Sequence, residues 1–283
     1  MQVYTDFNLT NYNSYRIKAR CTSAYFPENE QDVIDFYTKN EPFVLLGSGH
    51  NVILSKDFYD TNFLIFNGNY NRADITDNTI IAEAGISMLE LSELALANGL
   101  SGLEIFYDIP SSLGGAVVMN AGASGEEIKD VLVKVRYLDL ADMQVKEIKK
   151  EEMDFEYRNS FFQRNTDKVV LKVWLQLLTK EKALIKEKME TIKAQRWAKQ
   201  PKEYPNAGSV FKRPKGFYVG AMIDELNLKG YTVGGAQISK KHGGFIVNFN
   251  DATGENILAI IKEVKRQVQQ HFGVDLEVEQ RVI

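Results

Sequence analysis

Ser209 follows a glycine in Asn206-Ala207-Gly208-Ser209-Val210-Phe211-Lys212-Arg213-Pro214, with two cations close behind it. Positive charge near a hydroxyl lowers the cost of ionising it or of bonding it strongly. No Gly-x-Ser-x-Gly is present, so this is not a nucleophile elbow. On residue types alone, a turn serine beside a solvated basic pair fits equally. Arg158 stands in Phe155-Glu156-Tyr157-Arg158-Asn159-Ser160, among aromatic neighbours. A guanidinium can hold a planar carboxylate through two parallel bonds. By composition alone, a surface pair with Glu156 or Asp154 is the stronger reading of it. In Leu276-Glu277-Val278-Glu279-Gln280-Arg281, strand alternation sets Glu277, Glu279 and Arg281 against Leu276 and Val278. Such a face is usually solvated, yet a glutamate on it can act as a general acid or orient one.

Two glycine-bearing stretches could serve an anion. One is Leu46-Gly47-Ser48-Gly49-His50-Asn51, and the other is Pro110-Ser111-Ser112-Leu113-Gly114-Gly115-Ala116, continued by Asn120-Ala121-Gly122-Ala123. Glycine lets backbone approach a ligand, and successive free N–H groups form an anion nest. Ser111 or Ser112 could cap a helix whose N-terminus faces a phosphate. Either stretch alone is more often a plain turn, and neither matches the dinucleotide fingerprint, which needs a third glycine opening a helix. Together they make a diphosphate ligand an even choice.

The elements that must position these residues alternate irregularly. Residues 31–39 read as a helix, and 43–46, 63–66 and 80–84 as strands. Ser87-Met88-Leu89-Glu90 fits a capping box for a helix ending at Gly99. Period-two alternation over 131–138, with Val131, Val133, Val135 and Tyr137 on one side, predicts a half-buried strand. It turns back through 144–148, and 169–178 follows as an apolar strand. A charged helix over 181–199 carries Ile185, Met189 and Ile192 on one stripe. A helix over 255–272 closes on Gly273, and 275–282 reads as a final strand. Hairpins mixed with helices indicate α+β rather than a doubly wound sheet. A shift in composition places a domain boundary near Thr179-Lys180.

Bulk properties narrow the partners. The 283 residues carry a formal net charge of -4 with 44% hydrophobic and 25% charged residues, an ordinary globular profile. Nothing in the charge balance points to nucleic acid or an anionic membrane. The single cysteine, Cys21, excludes an intrachain disulfide, and three separated histidines give no zinc spacing, so no metal is expected. No leader-like N-terminus and no membrane-length apolar run are present, so a cytoplasmic protein is expected.

In this order and spacing, the pieces resemble the UDP-N-acetylenolpyruvoylglucosamine reductase (MurB) family over essentially the whole chain. The carrying stretches are Leu46 to Asn51, Gly102-Leu103-Glu104, Ile109 to Ala123, Tyr157 to Ser160, Gln200-Pro201, Ala207 to Pro214, Leu228-Lys229-Gly230, Gly234-Gly235-Ala236, Lys241 to Asn248 and Phe272 to Arg281. The resemblance implies an FAD-binding domain of the vanillyl-alcohol-oxidase (PCMH) type in two subdomains, 1–70 and 71–180. A C-terminal α+β substrate domain, 181–283, follows. It implies FAD as cofactor, NADPH as hydride donor, a UDP-sugar substrate, a monomer, and a place in peptidoglycan precursor synthesis. The sequence after Phe211-Lys212 and the short link beyond Val169-Val170 resemble the subclass without an extra tyrosine-bearing loop.

By the same resemblance, Gly47, Ser48, Gly49, His50, Asn51, Pro110, Ser111, Ser112, Gly114, Gly115, Ala116, Asn120, Gly122, Ala123 and Val170 would contact FAD. Tyr157, Lys212 and Arg213 would contact substrate. Arg158 and Glu279 match the family's residues at the enolpyruvyl carboxylate, and Ser209 matches its proton donor. Hydride would pass from flavin N5 to the terminal methylene carbon, and the charge built on the conjugated carboxylate needs preorganised donors. Lys212 is a candidate to supply positive charge beside Ser209. The chain departs from the family at His50 (usually serine), Ser111-Ser112 (usually Gly or Gly-Thr), Ser124 (commonly tyrosine) and Ala221 (commonly lysine). Two competing expectations are another FAD-dependent oxidoreductase of the same fold and a non-catalytic flavin- or UDP-sugar-binding protein.

Overall fold

A computed structural model describes residues 1–39 and 41–283 of the chain. It divides into two compact units. One comprises Met1–Tyr4, Ala24–Ser48 and Phe63–Gln195, and the other Thr5–Ser23, Gly49–Asn62 and Arg196–Ile283.

In the first unit, five strands pair antiparallel in the order Gln144–Lys149, Leu132–Asp139, Lys168–Gln176, Thr79–Glu83, Ala73–Thr76. Val135, Val173, Leu175 and Ile80 point into one apolar core. Helix Met88–Ala97 adds Met88, Leu91 and Ala95, and helix Leu113–Val118 adds Leu113, Ala116 and Val117. A fully buried aliphatic side chain stabilises by roughly 1.5–3 kcal/mol, so this cluster dominates the unit's stability. The expected capping box is present: Ser87 Oγ accepts from Glu90 N at 3.1 Å, and Glu90 accepts from Ser87 N at 3.1 Å.

Two strand expectations in this unit need correction. The alternation expected over 131–138 fails at its start, where Leu132 is buried and Val133 is 42% exposed. The register to Lys168–Gln176 shifts between Leu132 and Lys134, and the extra residue of such a bulge flips the side chains before it. The strand expected over 169–178 stops at Gln176, and Leu178–Thr179 pairs separately with Leu100–Ser101.

In the second unit, strands Thr232–Val233, Ala236–Ile238 and Ile246–Asn248 form an antiparallel sheet under helix Gly254–Phe272. That helix buries Ile257, Ile260, Ile261, Val264 and Val268, the stripe expected from spacing. Thr253 caps its start, and Gly273 closes it in the left-handed conformation at φ 68. The final segment is not one strand. Val278 makes a single antiparallel bridge to Phe211, and Arg281–Val282 pairs parallel with Val52–Ile53. The chain changes partner at Gln280, which is why the strand expected over 275–282 is interrupted. Strand–helix order and hairpins agree with the α+β class. No helix among the described residues is long and apolar enough to cross a membrane.

Candidate active site

In the first unit the two glycine stretches meet. Strand Phe43–Leu46 delivers Gly47 and Ser48, and Ser48 Oγ accepts from Ser112 N at 3.0 Å. Ser112 caps helix Leu113–Val118, its Oγ accepting from Gly115 N at 3.3 Å. A Cβ on Gly47 would lie 2.8 Å from that Oγ, and one on Gly115 would lie 3.2 Å from it. Gly114 lies against Ala84, whose carbonyl accepts from Gly114 N at 2.9 Å. Ser111 Oγ donates to Ser112 O at 2.8 Å, and Pro110 ahead of it is exposed. Ala116 and Val170 are buried.

The Arg158 segment is tied to the same helix's far end. Glu156 and Asn159 exchange backbone bonds of 3.1 and 3.2 Å, which puts Tyr157 and Arg158 at the tip of a two-residue turn. Arg158 takes a left-handed φ of 54, a conformation that costs a non-glycine residue roughly 1–2 kcal/mol. Its Nη2 donates to Gly122 O at 2.8 Å and its Nη1 to Asn120 O at 3.5 Å. Its guanidinium lies 5.0 Å from the Tyr157 ring centroid. Asn120, fully buried, donates to Glu127 Oε2 at 3.0 Å and to Glu156 O at 2.9 Å. Gly122 cannot take a side chain, because a Cβ would fall 2.1 Å from Glu126 O. Ala123 pairs with Glu126 in the short hairpin that follows. Backbone strain held by several bonds is typical of functional positions.

In the second unit, Gly49 adopts φ 71, and a Cβ there would lie 2.0 Å from Tyr12 O. His50 comes next. Its Nδ1 is sealed from solvent without a hydrogen-bond partner. Burial first, then the charges of Arg16 and Lys202, pull its imidazole from 6.5 down to about 4, so it is neutral near pH 7. Asn51 Nδ2 donates to Glu279 O at 3.1 Å, and Asn51 O accepts from Arg281 N at 3.0 Å.

Ser209 is exposed, directly after Gly208 at φ 79. Asn206 Oδ1 accepts from Gly208 N at 3.1 Å, an Asx-type turn that sets the bend. Val210 N donates to Gly244 O at 3.0 Å, and Val210 O accepts from Glu279 N at 2.9 Å. The backbone of Glu279 is therefore fixed one residue from Ser209. Lys212 Nζ lies 2.6 Å from Glu277 Oε1 across the two segments, so its charge is taken up by that carboxylate. Arg213 stacks over Tyr218, 3.9 Å from the ring centroid.

Some ordering groups were missed by residue-type reasoning. Gln280 is 3% exposed and bonds to fully buried Tyr15. A signal existed: by alternation Gln280 falls on the apolar side with Leu276 and Val278. Glu104 in the first unit is the other case. Burial pushes its carboxyl up, but hydrogen bonds from Ser101 and the 102–104 backbone, with Lys188 nearby, outweigh this and hold it below the usual range. Glu104 lies in a cleft of about 710 Å³ with Gly102, Val131, Lys134, Lys150 and Lys188, and none of the expected site residues lines it. No cluster of metal-ligating side chains exists among the described residues.

Residues 200–283 match a family model described as UDP-N-acetylenolpyruvoylglucosamine reductase, C-terminal domain, and residues 23–149 match an FAD binding domain. The UDP-N-acetylenolpyruvoylglucosamine reductase of Francisella tularensis is 42% identical over 278 residues, 98% of each chain. That of Geobacillus kaustophilus is 40% identical, over 99% of this chain and 93% of the relative. The crystal structure of the MurB reductase from Thermus caldophilus superposes with a TM-score of 0.83 at 31% identity, covering 99% of this chain and 98% of that one.

Proposed function

The chain belongs to the UDP-N-acetylenolpyruvoylglucosamine reductase family, and from that premise we propose that it reduces UDP-N-acetylenolpyruvoylglucosamine to UDP-N-acetylmuramate with NADPH as donor. The reaction would be a UDP-N-acetylmuramate dehydrogenase step in peptidoglycan precursor synthesis, run by a cytoplasmic monomer. When bound, FAD supplies hydride transfer from its N5 to the methylene carbon of the enolpyruvyl ether after reduction by NADPH. The residues fit that cofactor. Gly47 and Gly115 leave a Cβ-free surface around Ser112 Oγ, the stretches 46–51 and 110–118 hold no carboxylate, and His50 Nδ1 waits buried without a partner. We assign FAD contacts to Gly47, Ser48, Ser111, Ser112, Gly114 and Gly115 in the first unit, and to Gly49, His50 and Asn51 in the second. Pro110, Ala116, Asn120, Gly122, Ala123 and Val170 complete the FAD contacts. Residues 1–70 and 71–180 serve FAD in this reading, and 181–283 the sugar nucleotide.

For the substrate, Arg158 supplies a fixed cation to the enolpyruvyl carboxylate as negative charge builds on it. An arginine already held on two carbonyls needs little reorganisation at that moment. Glu279 serves the same end of the substrate. Ser209 gives its proton to the carbon beside the one reduced and regains a proton from solvent, to which it is exposed. Tyr157, Lys212 and Arg213 bind substrate. The observation that carries the reading is the Gly208 turn, which exposes Ser209 while Glu279 is bonded to Val210. Purified protein should be yellow, and NADPH oxidation should depend on the enolpyruvyl UDP-sugar. A colourless protein that FAD cannot reconstitute would sink the proposal.

A further inference from the structure

Gln280 is 3% exposed, and burying an amide is costly unless every polar atom is paired. A leucine of similar volume would fill the site without that cost. The amide bonds in an unusual way. Its Oε1 accepts from Tyr15 Oη at 2.9 Å, which fixes its orientation. Its Nε2 then faces three successive carbonyls: Ala207 O at 3.0 Å, Gly208 O at 3.3 Å and Ser209 O at 3.4 Å. An amide has two N–H groups, so the three contacts share them. These carbonyls flank Ser209 or belong to it.

Tyr15 is itself fully buried and anchored. Its backbone carbonyl accepts from Asn248 Nδ2 at 2.8 Å, and Asn248 N donates to Pro205 O at 2.8 Å. The peptide planes around Ser209 are thus held through Gln280, while Asn206 holds Gly208 N. Gly208 has no atom within 4 Å of where a Cβ would be, so its left-handed φ is set by these bonds and not by crowding.

We propose that Gln280, oriented by Tyr15, is a positioning residue for Ser209: it fixes the Ala207–Ser209 peptide planes and so the direction in which the Ser209 side chain leaves the backbone. The inference rests on the proton-donor role given to Ser209. A misplacement of about 1 Å can cost on the order of 100-fold in rate without a change in composition of the site.

The test uses FAD-loaded protein and follows the two half-reactions separately by stopped flow. Gln280→Leu should slow flavin reoxidation by the enolpyruvyl UDP-sugar by about 10- to 100-fold, with substrate KM within about 3-fold. Flavin reduction by NADPH should stay within about 2-fold, and the solvent isotope effect on reoxidation should rise because proton delivery has become limiting. Tyr15→Phe should slow reoxidation in the same direction but less, and it carries the test if Gln280→Leu fails to fold. The double variant Tyr15→Phe with Gln280→Leu separates positioning from stability. Removing the Tyr15 hydroxyl that Gln280→Leu orphans should restore part of the Tm lost in Gln280→Leu. The rate should remain slow, because the three carbonyls stay unheld. Recovery of rate along with Tm would overturn the proposal, as would equal slowing of both half-reactions. Ser209→Ala is the control: if it turns over at near-normal rate, the proton-donor role itself falls. If Ser209→Ala is slow and Gln280→Leu is not, only the positioning role falls.

Discussion

Gly47→Ala tests how the glycine loop is built. The new methyl would sit 2.8 Å from Ser112 Oγ, closer than real Cβ atoms approach. The hydroxyl must rotate away, and once rotated it no longer caps Gly115 N, now 3.3 Å distant. Losing a serine N-cap costs about 1 kcal/mol, with a range of roughly 0.5–2. If these groups hold the FAD diphosphate, a distortion worth about 1 kcal/mol in the bound state weakens FAD by roughly 5-fold. The decisive variant is Gly47→Ala in a Ser112→Ala background. With Oγ gone, the nearest atom to the methyl is Ser112 Cβ at 4.0 Å, an ordinary contact. Alanine also restricts the unfolded chain, worth about 0.4–1 kcal/mol where the backbone tolerates it. Gly47→Ala should then be neutral or stabilising. Urea unfolding of the apoprotein and FAD titration by fluorescence quenching give all four corners of the cycle. The expected coupling is about 1 kcal/mol, against additivity within roughly 0.3–0.5 kcal/mol for independent sites. Because the alanine gain offsets much of the lost cap in the parent, the coupling is the readout, and additive costs would refute the steric account.

Three further outcomes are expected. Ser209→Ala should let NADPH bleach the flavin normally, while reoxidation by the enolpyruvyl UDP-sugar falls by about 10²–10⁴-fold, and near-normal turnover would remove the proton-donor role. Arg158→Ala and Arg158→Gly should both lose about 10- to 100-fold in kcat/KM, as for a lost bond to a charged group. Only Arg158→Gly relieves the strain at φ 54, so it should melt above Arg158→Ala, and the reverse order would show the strain is absent. His50 is depressed from 6.5 to about 4, so the unfolded chain takes up a proton across that window and the folded chain does not. Apoprotein stability should fall as pH drops from about 6.5 to 4, and His50→Ser should lose less over that range in urea midpoints; identical acid limbs would contradict the burial of the ring.

Local chemistry was readable wherever one segment determines its own structure. The Ser87 and Glu90 capping box, the Gly273 terminus and the apolar stripe of Gly254–Phe272 depend on residues a turn or two apart, and all are present. What failed depends on partners remote in sequence. The bulge that buries Leu132 and exposes Val133 is a property of pairing with Lys168–Gln176, and alternation within 131–138 carries no trace of it. The pairing of Lys212 with Glu277 required knowing which segment lies beside Phe211. The catalytic roles assigned to Arg158, Ser209 and Glu279 came from the family resemblance, since residue type alone left each as a surface or turn residue.

The closing segment shows why an interrupted strand suits the proposed chemistry better than the continuous one that alternation suggested. Over a few residues it bonds successively to different neighbours within the second unit. Glu277 O accepts from Lys212 N, and Glu279 N donates to Val210 O. The Gln280 side chain reaches Ala207, Gly208 and Ser209, and Arg281 then turns to Asn51 and pairs with Val52. A strand that kept one partner could have fixed the Ser209 segment or the Gly49–Asn51 loop, but not both. By changing partner at a buried glutamine, one stretch of chain orders the segment proposed to deliver a proton and the loop proposed to hold part of the cofactor. The polar residue on the apolar face marks the crossing point between those two tasks.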